Sequence, residues 1–595
     1  MTKTIQPLSG FSRRSTVEVK VGRVCIGGNN PVRIQTMVTT PTSDIGATVR
    51  ECMKVADAGA ELVRITAPTV SDAEALGVIR QELRKKGYGI PLIADIHFNP
   101  AVAEVAAKNV EKIRINPGNF TDRQARLQPG IQDFEKNWES DLSKLRTRFV
   151  SLLNVCKEYG TALRIGSNHG SLSGRIMSKY GDTPAGMVES AMEFLRICRE
   201  ENFDSVVVSM KASNTVVMVR AYRLLVEAMD AEDMHYPLHL GVTEAGDGED
   251  GRIKSAVGIG SLLADGLGDT LRVSLTEAPE NEIPVAGELV RYFSSLHLLP
   301  ATENSTFNRT CIEGRKTSPA GREVIVISDL SKLNPVYLSD IENTGLSSKS
   351  GLQQKNPAPD YVYTGSSTLL FDSDSQRIID DGNDSFIFCD HTAFNGSFLS
   401  WLREHPDKIL VVSFDGAGSI AGQRSVFHRL QTNGVTNRTV IKREYGEKDF
   451  EKLQIMAACD FGALLVDGYG DGIMLSADVS VSPESVSDLC FRILQASRVR
   501  HTRTEYIACP GCGRTLFDLR ETLQRVKEAT SEFNNLKIGV MGCIVNGPGE
   551  MADADYGYVG AAPGKITLYR GMEAVKKNIP QENAIGELID LIKKG

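Results

Sequence analysis

Residues 62–97, LVRITAPTVSDAEALGVIRQELRKKGYGIPLIADIH, hold the repeat that decides the fold. A short β-branched run (LVRIT) is followed by a turn, a stretch with apolar residues at three- and four-residue spacing, and a second apolar run (PLIADIH). The runs suit strands buried on both faces, and the stretch between them suits a helix laid on a sheet. The same unit recurs on either side, in VRIQTM from Val32, KIRINP from Lys112, ALRIGSN from Ala162, SVVVSMKAS from Ser205, LHLGVTEAG from Leu238 and TLRVSLT from Thr270. Together these are eight strands alternating with helices, the pattern of a parallel TIM (β/α)8 barrel over residues 1–300. The alternating VEVKVGRVCIGGNN ahead of the first strand reads as a hairpin that plugs the barrel's lower mouth.

Barrel interiors are filled mainly by Val, Ile and Leu, yet these strands carry charge. Arg64, Asp95, His97, Arg114, Arg164, Lys211, Glu244 and Arg272 fall in the second halves of their strands or just beyond, where barrel active sites are built. A single strand-end Arg would most simply pair with a nearby carboxylate. Five cations converging on one face suit a small ligand with more than one phosphate, Arg giving bidentate contacts and Lys a point charge. The Gly-rich AVGIGSLLADGLGDTLRV before the last strand is a candidate phosphate site at the start of a helix, or a set of tight turns. His235 and His239 are four apart, but Pro237 between them argues against a shared helical face and a metal pair.

The chain has 595 residues, enough for three or more domains, with 41% apolar and 24% charged residues, an ordinary soluble globular composition. A net charge of −8 excludes a global basic field for nucleic acid. No run of about 18 apolar residues could span a bilayer and no secretory signal is evident, so a cytoplasmic protein is expected. Residues 301–500 have α/β runs (REVIVISDL, SFIFCDH, KILVVSFD, NRTVIKRE, FGALLVDG) without cationic strand ends, and read as a structural insert domain, an α/β fold of degenerate-barrel type. Residues 344–368, rich in Ser, Gly, Pro and Asn, read as a linker or surface loop.

Eleven Cys scattered over a long chain are not a disulfide framework. Cys25, Cys52, Cys156, Cys198, Cys311, Cys389, Cys459 and Cys490 are too far apart for a local ligand set and read as buried small apolar residues. The other three stand in residues 501–595, a small α+β domain. Cys509 and Cys512 form a C-x2-C pair in CPGCGRT, and Cys543 follows in GCIVNGPGE. Three thiols without a fourth fit a structural zinc ribbon poorly. Glu550, seven positions past Cys543, is the residue that could complete the set. A carboxylate on one iron of a 4Fe-4S cluster is more readily displaced than a thiolate, which points to chemistry at that iron.

These motifs are recognisable. RIQTM, ADIHF, KIRINPGN, RIGSNHGSL, SMKAS, GVTEAG, LRVSLT, CPGCGRT and GCIVNGPGE together resemble the 4-hydroxy-3-methylbut-2-enyl diphosphate synthase (IspG/GcpE) family of the methylerythritol phosphate route to isoprenoids. The likeness covers about residues 10–300 and from about 500, and the segment between resembles the insert of the family's long, three-domain form. It implies two-electron reductive opening of 2-C-methyl-D-erythritol 2,4-cyclodiphosphate, with loss of water, fed by flavodoxin or ferredoxin. It implies one 4Fe-4S cluster on Cys509, Cys512, Cys543 and Glu550. Diphosphate contacts are implied at Arg64, Arg114, Arg164, Asn168, Lys211, Arg272 and Ser274, and an acid–base carboxylate at Glu244. The cluster domain must then close over a barrel, from its own chain in a monomer or from the partner in a homodimer, with the insert as a scaffold. The competing reading is a redox-silent barrel on a phosphorylated or pterin-like substrate, with zinc in the C-terminal module.

Overall fold

The computed structural model of the chain describes residues 13–96, 99–120, 134–296, 323–333, 357–365, 368–372, 377–380, 386–414, 420–545 and 547–594. His97, the linker residues 344–356 and Cys311 lie outside them. The chain divides into two compact units. One contains residues 14–255, 267–287 and 503–595, the other residues 256–266 and 288–502 together with the N-terminal residues.

In the first unit, β1 (Val19–Val21) and β2 (Val24–Ile26) form the expected antiparallel hairpin. Val19, Val21 and Ile26 pack on Leu62, Ile93, Ala162 and Val207, near the starts of barrel strands, and close the lower mouth with apolar surface. The barrel strands are β3 (Arg33–Met37), β4 (Leu62–Thr66), β5 (Leu92–Asp95), β6 (Lys112–Ile115), β7 (Ala162–Asn168), β8 (Val206–Lys211), β9 (His239–Leu240) and β10 (Thr270–Leu271). They run parallel in the order β8-β7-β6-β5-β4-β3-β10-β9, and a bridge between Val208 and Leu238 joins β9 to β8 and closes the ring. Each expected strand is present. Helix starts follow local chemistry: Thr183, just before Pro184–Glu200, accepts a hydrogen bond from Gly186 N, and Pro184 fills the first helical turn, where no intrahelical donor is needed.

Two expectations about the barrel are corrected. The run GVTEAG leaves the sheet after Leu240, and Glu244 lies four residues past the end of β9 in a left-handed turn, φ 48°. The Gly-rich segment ends a helix instead of opening one: Ala256–Ala264 close the helix Gly248–Ala264, and Gly266 (φ 72°) and Gly268 (φ 123°) make the tight turn into β10, the second of the two readings. A Cβ on Gly260 would stand 2.6 Å from the Cys459 sulfur, so this glycine serves close helix packing.

In the second unit the strands are β11 (Ile325–Asp329), β12 (Tyr361–Tyr363), β13 (Thr368–Asp372), β14 (Arg377–Asp380), β15 (Phe386–Asp390), β16 (Ile409–Ser413), β17 (Thr439–Glu444) and β18 (Gly472–Ser476). They form one sheet, β14-β13-β12-β11-β18-β17-β16-β15, parallel except for the antiparallel pairings of β13 with β12 and β14. Among the described residues no pairing joins β14 to β15, so this α/β sheet is open where a barrel would close. Three details differ from expectation. FGALLVDG belongs to the helix Phe450–Val466, because an apolar run alone does not separate a buried helix from a buried strand. Tyr361–Tyr363, inside the supposed linker, is a strand beside β11. The strand ends do carry charge, but it is paired: Arg443 with Asp460 at 2.6 Å and Lys332 with Glu444 at 2.9 Å.

The C-terminal segment belongs to the first unit. Strands β19 (Glu505–Ala508), β20 (Lys537–Met541) and β21 (Tyr556–Ala562) are parallel, and β22 (Lys565–Arg570) and β23 (Glu573–Pro580) extend the sheet antiparallel. Leu519, Leu523 and Val526, spaced along one face of the helix Leu519–Ala529, pack with Leu588, Leu591 and Ile592 as its core. Among the described residues no helix is long and apolar enough to cross a membrane. Cys52, Cys156, Cys198, Cys459 and Cys490 are buried as expected, whereas Cys25 and Cys389 are half-buried.

Candidate functional site

The upper strand ends of the barrel and the cysteine loops of the C-terminal segment line one cavity. Arg64, Arg114, Asn168, Lys211, Glu244, Arg272, Ser274, Cys509, Cys512, Cys543 and Glu550 all reach its wall, together with Asp95. Arg164 does not. It is buried beneath the floor, 1% exposed, with Nη1 3.5 Å from Ser209 Oγ and Nε without a partner.

Two of the wall cations are fixed by protein. Arg114 donates to Asp95 Oδ1 at 3.2 Å and to Gly166 O and Asn168 Oδ1 at 2.9 Å. Arg272 forks onto Glu282 at 3.1 and 2.8 Å. The other two from the barrel lack an anionic partner at hydrogen-bond distance among the described residues. Arg64 turns Nε and Nη2 toward the Met37 thioether at 3.1 and 2.8 Å, a weak acceptor, and Lys211 Nζ has neither hydrogen bond nor ion pair among the described residues. Burial, opposed by Asp95 but joined by Arg272 and Arg114, pushes the Arg64 guanidinium down to about 10, and burial with Arg64, Arg164 and Arg272 pushes Lys211 well below the ordinary lysine range. Unneutralised positive charge held out of water is costly, and an anionic ligand in the cavity would relieve it.

The C-x2-C loop follows β19. Gly511 sits at φ +80° in its turn, and Cys512 N donates to Thr515 Oγ1 at 3.0 Å. Cys543 follows β20, where Gly542 N donates to Cys509 Sγ at 3.3 Å. Burial pushes the Cys509 and Cys543 thiols up.

Polar contacts hold this segment on the barrel. Ala245 bridges to Ala508, Thr276 Oγ1 donates to Cys509 O at 3.0 Å, and Lys254 pairs with Glu505 at 2.8 Å. Glu550 receives Asn168 Nδ2 at 2.6 Å on its carboxylate and Ser213 Oγ at 3.2 Å on its carbonyl. The Glu244 carboxyl lies beside Glu550, and burial followed by that neighbour's charge pushes it well above the ordinary carboxylate range. Gly170 and Gly549 meet backbone to backbone, where a Cβ on Gly170 would stand 2.0 Å from Gly549 O. Any side chain there would hold the two parts away from each other. Arg514 also lines the cavity and was missed in the sequence, although it stands two residues past Cys512 in CPGCGRT.

Fold and cavity define a class: a TIM-barrel protein whose cationic strand ends face three cysteines from a separate small domain. Residues 16–287 match the GcpE TIM-barrel domain, and residues 505–594 match the GcpE protein C-terminal domain. The chain is 48% identical over 620 residues to 4-hydroxy-3-methylbut-2-en-1-yl diphosphate synthase (flavodoxin) of Bacteroides fragilis, covering 98% of this chain and 96% of that protein. It is 42% identical to the flavodoxin enzyme of Leptospira interrogans (98% and 97% covered) and 40% to the chloroplastic ferredoxin enzyme of Oryza sativa subsp. japonica (98% and 87%). The chain belongs to the 4-hydroxy-3-methylbut-2-en-1-yl diphosphate synthase family, iron–sulfur oxidoreductases of isoprenoid biosynthesis. The relatives' names match this reading and not the redox-silent barrel enzyme.

Proposed function

We propose that the chain converts 2-C-methyl-D-erythritol 2,4-cyclodiphosphate to 4-hydroxy-3-methylbut-2-enyl diphosphate, consuming two electrons and protons and releasing water. The observation that carries the reading is the pair of cavity cations without anionic hydrogen-bond partners, Arg64 and Lys211, facing three thiols across one cavity. Arg64, Arg114, Lys211, Arg272, Asn168 and Ser274 anchor the diphosphate, and Arg164 adds positive field from below the floor.

Cys509, Cys512, Cys543 and Glu550 are the ligand set for one 4Fe-4S cluster. Three thiols and a carboxylate are the right donors for iron, and the Gly542 N–H on the Cys509 sulfur is the kind of contact that tunes such a group. Among the described residues no three His, Cys, Asp or Glu side chains converge as the ligands of a single ion would. When bound, the cluster supplies the electrons and a Lewis-acidic iron.

The protein's own groups orient the ring and handle the proton. The cations fix the diphosphate end. Glu244, beside Glu550 and within the Coulomb reach of Lys211, supplies or stabilises the proton needed as a hydroxyl departs. Asn168 and Ser213 anchor the Glu550 carboxylate and carbonyl to the barrel, from where the carboxylate would hold one iron of the cluster. The left-handed Glu244 backbone is strain of the kind stored at functional sites.

Residues 1–300 serve as the substrate domain, 301–500 as a scaffold and 501–595 as the cluster domain. Barrel and cluster segment falling in one compact unit of one chain favours a monomer competent by itself over a homodimer that exchanges domains. The electron donor is a flavodoxin or ferredoxin, and the compartment is the cytoplasm. The test is iron and sulfide analysis of anaerobically purified protein combined with turnover of the cyclodiphosphate. A brown protein with bound sulfide and turnover is expected, and a colourless zinc protein would overturn the reading.

A further inference from the structure

Of the cations on the cavity wall, Arg514 is the one carried by the C-terminal segment; Arg64, Arg114, Lys211 and Arg272 come from the barrel. Its guanidinium lies beside the Cys512 sulfur and within Coulomb reach of Cys543, and all three residues line the same cavity. On its other side Nη2 stands 3.9 Å from Asp95 Oδ2, an ion pair without a hydrogen bond, and Asp95 is shared with Arg114. Its Nε is fully buried with no partner. The loop that carries it is seated tightly: a Cβ on Gly513 would come within 2.9 Å of Thr66 Oγ1 and 3.0 Å of Thr40 O. The position of Arg514 therefore depends on the segment resting on the barrel.

We propose that Arg514 is a positioning residue that couples the diphosphate to the electron affinity of the cluster. It holds one positive charge between the barrel carboxylate Asp95 and the ligand Cys512, on the wall of the cavity where an anion would lie. The inference rests on the reading of the three cysteines as cluster ligands. A cation beside a ligand sulfur favours the reduced cluster, which carries one more negative charge, and so raises its potential. The same guanidinium offers a planar fork to a phosphate, which an ammonium cannot reproduce.

The test uses anaerobically purified holoenzyme of the parent, Arg514→Met and Arg514→Lys, with iron and sulfide content measured first. Midpoint potential is read by redox titration, and cyclodiphosphate affinity by calorimetry. Arg514→Met should keep its iron, shift to a more negative potential and bind substrate at least about tenfold more weakly, the scale of one charge-assisted hydrogen bond. Arg514→Lys should recover the potential but not the affinity. Parental potential and affinity in Arg514→Met would overturn the proposal. Should Arg514→Met fail to hold iron, Arg514→Lys decides alone: parental potential with weakened affinity supports the proposal, and parental affinity overturns it. A parent without iron and sulfide would instead sink the cluster reading itself, and this inference with it.

Discussion

Buried cations of the second unit and of the barrel mouth in the first meet different fates, although Arg114 and Arg272 at the mouth are paired as well. In the second, Arg424 is 2% exposed and held by Asp265 and Asp467, each at 2.6 Å, and Arg500 is held by Asp360 at 2.6 Å. At the barrel mouth, Arg64 is nearly as buried but faces a thioether, and Lys211 has no bonding partner among the described residues. A buried charge that the fold neutralises belongs to the scaffold, and one that the fold leaves waiting marks where a ligand of opposite charge goes.

The largest effect belongs to the thiols. Cys509→Ser, Cys512→Ser or Cys543→Ser should each lose bound iron, colour and turnover together, because a hydroxyl replaces a thiolate on iron poorly. Full iron content in all three would remove the anionic pole of the comparison.

Next comes Glu244→Gln, which keeps size and hydrogen bonding. Its kcat should fall on the order of 100- to 10,000-fold with substrate affinity and iron retained. Near-parental kcat with a raised KM would make Glu244 a binding group, and the proton would have to come from elsewhere.

The scaffold side is probed by Arg424→Met, which removes the cation shared by Asp265 and Asp467. Unfolding in denaturant should show a loss of about 3–5 kcal/mol, the usual result of removing one partner of a buried pair. A smaller loss is expected from Gly260→Ala, where the added methyl would press on Cys459; overpacking of this kind costs about 1–3 kcal/mol. Neither variant should change KM.

Much of this was legible in the chain. Strands such as LVRIT and KIRIN were visible because their β-branched runs are continuous, and their charges stood out against an apolar background. The C-x2-C loop and Cys543 could be joined because their spacing has few other uses. What failed depended on distant partners. The turn at Glu244 accompanies the bridge from Ala245 to Ala508, and the helical glycines of the 256–264 segment were unintelligible without Cys459, some two hundred positions away. Arg164 pointed inward as expected, but its depth depends on how neighbouring strands are staggered: it stands opposite Arg114, yet only Arg114 reaches the wall. Tyr361–Tyr363 was hidden by its Pro-, Gly- and Ser-rich flanks.

Thermal unfolding of the parent and Arg64→Met, each with and without the cyclodiphosphate, tests the central claim most directly. If Arg64 waits for an anion, Arg64→Met should unfold at or above the parental temperature without ligand, since a buried charge that no carboxylate bonds has been removed. The parent should gain about 2.7 kcal/mol at a hundred times Kd, and the variant should gain far less at the same concentration. A variant destabilised as much as Arg424→Met, yet stabilised by ligand as fully as the parent, would show that Arg64 is scaffold and contradict the account.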